Sequence, residues 1–90
     1  MFNGEEQVSD YKEAYIPSPK DISDIFPNAE LSKSKNQRQR WVDTKTGEIY
    51  EWDYQHGDVE IYNKRGQHKG SINPETKQEK PPVKGRTTNN

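Results

Sequence analysis

From Trp41 to Ile72 apolar and polar residues alternate in short runs broken by polar, glycine-bearing clusters, the pattern of half-buried strands joined by tight turns. Trp41-Val42 opens the first strand, and Asp43-Thr44-Lys45-Thr46-Gly47 reads as a hairpin connection with glycine where positive φ is needed. Glu48 to Tyr54 returns; a turn at His56-Gly57-Asp58 leads into a third strand, Val59 to Asn63. Lys64-Arg65-Gly66 turns the chain again into a fourth, Gln67 to Ile72, which Asn73-Pro74 ends because proline cannot donate to a ladder. Trp41 and Trp52 are assigned to the core. Upstream, the prolines of Tyr15-Ile16-Pro17-Ser18-Pro19 hold an extended segment. Lys20 to Phe26 then places Ile22, Ile25 and Phe26 at i, i+3 and i+4, which predicts a short helix docked on the sheet and stopped by Pro27-Asn28. Residues 1–14 are polar and acidic and read as a linker or disordered leader. Residues 75–90 read as an extended tail in which only Val83 offers an apolar anchor. No internal repeat is visible. The expected class is α+β, mostly β: a small twisted antiparallel sheet of four or more strands with a short N-terminal helix, and room for extra short strands at either end.

Alternation also has a consequence for chemistry. Tyr50, Trp52, Tyr54 and His56 fall on one face of the second strand, and Glu51 and Asp53 on the other. A regular strand would therefore point Asp53 and His56 apart. Gly57 is the place where a turn or bulge brings them together.

Composition limits the rest. Ninety residues with 26% hydrophobic and 32% charged positions make one small domain that cannot bury a large core. There is no cysteine, so neither disulfides nor thiolate metal sites contribute. No apolar run approaches a membrane span, and Met1-Phe2-Asn3-Gly4-Glu5-Glu6 lacks the basic start and apolar stretch of a signal peptide, so no stable membrane association is expected and export needs a carrier. The net charge of −1 is unevenly spread: residues 1–32 carry −5 and residues 33–90 carry +4. Lys33, Lys35, Arg38 and Arg40, with polar spacers and no acid among them, form a stretch that either tracks phosphates or is a solvated loop.

Against this background Asp53, His56 and Glu60 place two carboxylates and an imidazole within eight positions. At a phosphodiester such a set can act as a general acid and base, with the second carboxylate fixing the imidazole and no metal or cofactor required. The same residues would also suit a solvated strand face. His68 is the only other histidine; without further ligands at metal spacing it reads as support for the sheet. Tyr54 and Tyr62 either stack on unpaired bases or serve as core and rim residues, and Tyr62 shares strand parity with Glu60.

Arg40-Trp41, Thr46-Gly47, Ile49-Tyr50-Glu51-Trp52-Asp53, Gln55-His56-Gly57, Gly66-Gln67-His68 and Gly70-Ser71, with Tyr15 to Lys20 ahead of them, together resemble the cytotoxic domain of the ribosomal-RNA-cleaving colicins and cloacin. The resemblance runs from about Tyr15 to Arg86 and makes residues 15–90 a ribonuclease toxin domain, of a kind also carried by contact-dependent inhibition proteins. It implies metal-independent cleavage of 16S ribosomal RNA in the decoding region, with Asp53, His56, Glu60 and Arg86 catalytic. Lys33, Lys35, Arg38, Arg40, Tyr62 and Lys84 are then the candidate RNA contacts. Implied partners are small-subunit RNA, a cognate acidic immunity protein and a larger secreted or cell-surface carrier of which this is the C-terminal part; the site of action is the cytoplasm of a target bacterium. Two departures stand out: the chain is less basic than the colicin domains, and it lacks their lysine-rich end. Arg86 matches only across a gap, with Lys84 as a competitor. A non-catalytic RNA-binding β-module, or a nuclease acting on another RNA such as tRNA, remains open at this point.

Overall fold

The computed structural model describes residues 15–33 and 38–89 of the chain; the leader over residues 1–14 and Lys35 lie outside them. Six strands, β1 (Ala29–Ser32), β2 (Arg40–Asp43), β3 (Ile49–Asp53), β4 (Asp58–Tyr62), β5 (His68–Ile72) and β6 (Glu79–Lys80), form one antiparallel sheet in chain order. The four expected strands are β2 to β5, and β1 and β6 are the extra short strands at the two ends.

The four connections from β2 to β6 follow one rule. Asp43, Asp53, Asn63 and Asn73 stand ten residues apart, each closing a turn with its side chain. In each, Oδ1 accepts the backbone N–H two residues on, from Lys45, Gln55, Arg65 and Glu75 at 2.8–3.0 Å. In three of them the N–H four residues on bonds the carbonyl of the first, and that residue takes positive φ: Gly47, Gly57 and Lys77. The chain therefore does have a repeat, one strand plus one turn long. It escapes a sequence comparison because only the Asx residue recurs, while the strand residues between differ from hairpin to hairpin.

The expected helix over Lys20 to Phe26 is a single turn instead, closed by Ile25 and Phe26 N–H groups on the Ile22 carbonyl at 3.0 and 2.8 Å. Pro19 before it and Pro27 after it leave too few residues to repay helix nucleation. The apolar spacing still does its work. Ile22 is buried against Trp41, Tyr50, Trp52, Val59 and Ile72, with Ile25, Phe26, Ala29 and Ile61 packed around them. Phe26 stacks on Tyr50 with centroids 4.1 Å apart. One face of the sheet thus carries the small core, and the other, apart from the buried Ile49 and Tyr62, is polar.

That polar face is crossed by the C-terminal segment, which the apolar pattern presents as a tail. Beyond β6 the chain turns back along β5. The His68 N–H bonds the Arg86 carbonyl at 3.0 Å, Thr87 bridges to Gln67, and the Thr88 N–H bonds the Gly66 carbonyl at 2.9 Å. Gly66, at φ +87°, is needed there, since a Cβ would lie 2.3 Å from the Thr88 carbonyl oxygen. Val83 is exposed, so the strap is held by polar bonds, which leave no mark in a hydrophobic pattern.

Candidate active site

Strand register lines up Arg40, Glu51, Glu60, Ser71 and Lys80 as one row across β2 to β6 on the polar face. Two buried glutamates thus stand directly opposite each other, an arrangement that is destabilising unless each carboxylate is partnered. Glu51 Oε2 accepts the Thr88 hydroxyl at 2.5 Å and lies 3.6 Å from Arg40 Nη1. Glu60 Oε1 meets His68 Nε2 at 2.6 Å and Arg86 Nη1 at 3.2 Å. The burial of Tyr62, with the charges of Glu51 and Glu60 beside it, pushes its phenol above the ordinary value.

The tautomer of His68 follows from its surroundings. Its Nδ1 receives the Val83 backbone N–H at 2.8 Å, and a backbone N–H can only donate. Nδ1 therefore carries the lone pair and Nε2 the proton, so Nε2–H donates to Glu60. Regular alternation from Ser71 would have put Lys69, not His68, on this face. The register shifts between Ile61 and Tyr62, pairing Ile61 with Gly70 but Tyr62 with His68, and this bulge turns the imidazole to Glu60. His68 is thus a site residue where the sequence reading had a sheet support; the one sign available was Gly70 inside a strand pattern.

Asp53 and His56 come together as the bend required. The Asp53 side chain closes its turn with Oδ1 and holds His56 Nδ1 with Oδ2 at 2.7 Å. Asp43, its counterpart one hairpin earlier, uses Oδ2 for the Tyr50 hydroxyl at 3.3 Å. A shared turn device is thus adapted to chemistry at one of its positions. Burial works against the Asp53 charge, but bonds from the His56 ring and from the Gln55 and His56 N–H groups outweigh it and hold the carboxyl below its ordinary value. With Nδ1 on Asp53, the His56 Nε2 is left facing outward, on a largely exposed ring.

A cleft of about 590 Å³ is lined by Arg38, Glu51, Asp53, His56, Tyr62, Arg86 and the strap residues 87–89. A smaller one of about 190 Å³ is lined by Asp53, His56, Asp58, Glu60, His68, Lys80 and Arg86. Asp53, His56 and Arg86 border both, so the four expected catalytic residues converge on one place. Lys80 joins them from β6: the bond it donates to Asp58 at 2.7 Å, and the Asp58 charge, raise its ammonium above the ordinary value.

The expected RNA contacts fare unevenly. Arg38 lines the larger cleft, and Lys33 is exposed just past β1. Lys84 is exposed on a turn that borders neither cleft. Arg40 is corrected: it is only 4% exposed, pairs with Glu51 and donates through Nη2 to the Asn89 carbonyl, while its Nε and Nη1 make no hydrogen bond. It faces the sheet because the strand begins at Arg40 and parity turns it inward. Tyr62 is likewise 3% exposed, its ring edge-on to His68 with centroids 5.2 Å apart, and it forms cleft floor instead of a stacking surface.

The chain whose antiparallel sheet carries Asp53–His56 beside Glu60–His68–Arg86 matches, over residues 16–89, the family model described as Cytotoxic, and it belongs to this family of cytotoxic ribonuclease domains. The chain is similar to three proteins of Escherichia coli: colicin E3 at 40% identity over 74% of its own length, colicin-E6 at 42% over 77% and cloacin at 40% over 77%. It spans 14% of the length of each of those proteins.

Proposed function

We propose that this domain cuts 16S ribosomal RNA in the decoding region by transferring the phosphodiester to the neighbouring 2′-hydroxyl, without a metal. The observation that carries the mechanism is the fixing of Glu60 by His68 and Arg86 in the same cleft as the Asp53–His56 pair. Glu60 is acceptor-only as a carboxylate and serves as the base that takes the 2′-hydroxyl proton. The freed oxygen attacks phosphorus, and His56 Nε2 gives a proton to the departing 5′-oxygen; a 2′,3′-cyclic phosphate and a 5′-hydroxyl remain. Asp53 keeps the imidazole turned so that Nε2 meets the substrate. Arg86 holds Glu60 by one nitrogen and has a half-exposed side chain, so its fork can turn to the equatorial phosphate oxygens, where charge grows in the transition state.

In this reading the domain is the effector of a larger secreted or surface-displayed toxin, arrests translation in the cytoplasm of a competing bacterium, and is silenced in its producer by an acidic immunity protein. The partner's charge follows from the +4 carried by residues 33–90. The test incubates the domain with intact ribosomes, deproteinised ribosomal RNA and tRNA, in chelator, and maps the cuts. Cleavage of ribosomes that Glu60→Gln and His56→Ala each abolish is expected, both variants remaining folded. A folded variant that cuts at the parent rate removes that residue from the mechanism, and cutting confined to tRNA overturns the target.

A further inference from the structure

Among the described residues, the exposed large apolar side chains include Tyr15 at 61% and Tyr54 at 39%, and these two lie against each other with ring centroids 5.2 Å apart and planes tilted by 38°. They are remote in sequence, so the contact needs a device to make it. The Ile16 N–H bonds the Tyr54 carbonyl at 2.8 Å, and Trp52 Nε1–H bonds the Ile16 carbonyl at 2.8 Å. These two bonds staple the extended Pro-rich segment onto the back of the Asp53–Gly57 turn. Tyr54 belongs to the turn that presents His56, two residues away. The aromatic pair is therefore preorganised at the rim of the site, with ring surface left open to solvent, whereas Tyr62, the better candidate from strand parity, is buried.

We infer that Tyr54, backed by Tyr15, is a stacking platform for an unpaired nucleobase of the RNA substrate, the base of the nucleotide whose 5′-oxygen His56 protonates. The inference rests on the ribonuclease reading above for the identity of the ligand. Two observations favour a base over a phosphate. First, a groove beside the pair, bordered by Ile16, Pro17, Trp52 and His56, also carries Asp21, Asp24 and Glu75, which repel the RNA backbone but not the face of a base. Second, the cationic side of the site, Arg38 and Arg86, opens into the larger cleft, which includes neither Tyr15 nor Tyr54. The scissile phosphate sits with the arginines and the following base swings out onto the tyrosines. Stacking of this kind tolerates any base, so the platform positions the leaving nucleotide and selects for single-stranded RNA, not for sequence.

The test uses the full chain and a short single-stranded RNA made uncleavable by a 2′-deoxy sugar at the attacking nucleotide, with 2-aminopurine as the next base. Binding to the parent is expected to change the fluorescence of that base. Tyr54→Ala, at an exposed position and checked for an unchanged Tm, is expected to abolish the change and weaken binding roughly 5- to 100-fold, with Tyr54→Phe restoring both. Tyr15→Ala is expected to give a smaller loss in the same direction. Replacing the base by an abasic sugar should cost the parent that same factor and Tyr54→Ala little. An equal abasic cost in both proteins overturns the platform, as does a Tyr54→Ala variant that binds RNA normally but escapes an inhibitory protein partner. Binding is read without cleavage, so a parent that binds in this way yet cuts nothing would defeat the ribonuclease reading and leave the platform standing.

Discussion

Replacement of His68 gives the most discriminating test of how Glu60 is held. The imidazole bridges two partners with two different atoms: Nε2–H donates to Glu60 at 2.6 Å, and Nδ1 accepts the Val83 N–H at 2.8 Å. Both side chains of the first pair are buried, and a hydrogen bond to a charged group in such a place contributes about 1.5–3 kcal/mol. In His68→Ala that carboxylate keeps only Arg86. For a domain of this size each kcal/mol moves Tm by about 4–8 °C, so a fall of roughly 6–24 °C is expected by calorimetry. The rate should fall on the order of 100-fold, the effect of letting a catalytic group drift by about an ångström. Two further variants divide the bridge. In His68→Gln an amide nitrogen reaches the Nε2 position and keeps a donor for Glu60; in His68→Asn an amide oxygen takes the Nδ1 position and keeps an acceptor for the strap. Single-turnover cleavage should therefore be better preserved in the glutamine variant, and protection of the Val83 amide from hydrogen exchange in the asparagine one. A His68→Ala domain with parental Tm and rate, or glutamine and asparagine variants that behave alike, would refute this account of the site.

Neutralising Arg38 should make the salt dependence of RNA binding shallower by roughly one unit, whereas Arg40→Ala should instead cost about 3–5 kcal/mol in denaturant unfolding, because it takes away the cation that faces the buried Glu51 carboxylate. The Asp53 carboxyl is held below its ordinary value, so its ionised form stabilises the fold above the unfolded-state pKa, and that contribution is lost as pH falls through the folded-state value; Asp53→Asn should flatten the stability profile below about pH 4, measured by urea titration at each pH. Gly66→Ala, with a Cβ placed 2.3 Å from the Thr88 oxygen, should lift the strap, and deletion after Lys84 should remove it; both are expected to lower Tm as well as the rate, since they release Glu51 and Glu60 from Thr88 and Arg86. A deletion that leaves Tm unchanged would return the segment to the status of a loose tail.

Much of this protein was legible in local chemistry. Period-two alternation set the strands and sorted Trp41, Tyr50, Trp52 and Val59 to one face and Glu51 and Glu60 to the other, because successive side chains in a strand must point opposite ways. The turn at Asp53–Gly57 was equally local: an Asx side chain and a glycine bring Asp53 and His56 together with no help from the rest of the chain. What only the tertiary structure decided is everything that depends on register between strands or on polar docking at a distance. A one-residue bulge opposite Ile61 and Tyr62 reversed the parity of β5 and delivered His68 to Glu60. The cross-strand row made Arg40 the buried partner of Glu51, although its neighbours in sequence suggested an exposed phosphate contact. The segment carrying Arg86 and Thr88 folds over the site through hydrogen bonds to groups about 20 to 40 residues away, and such bonds carry no periodic signal along the chain.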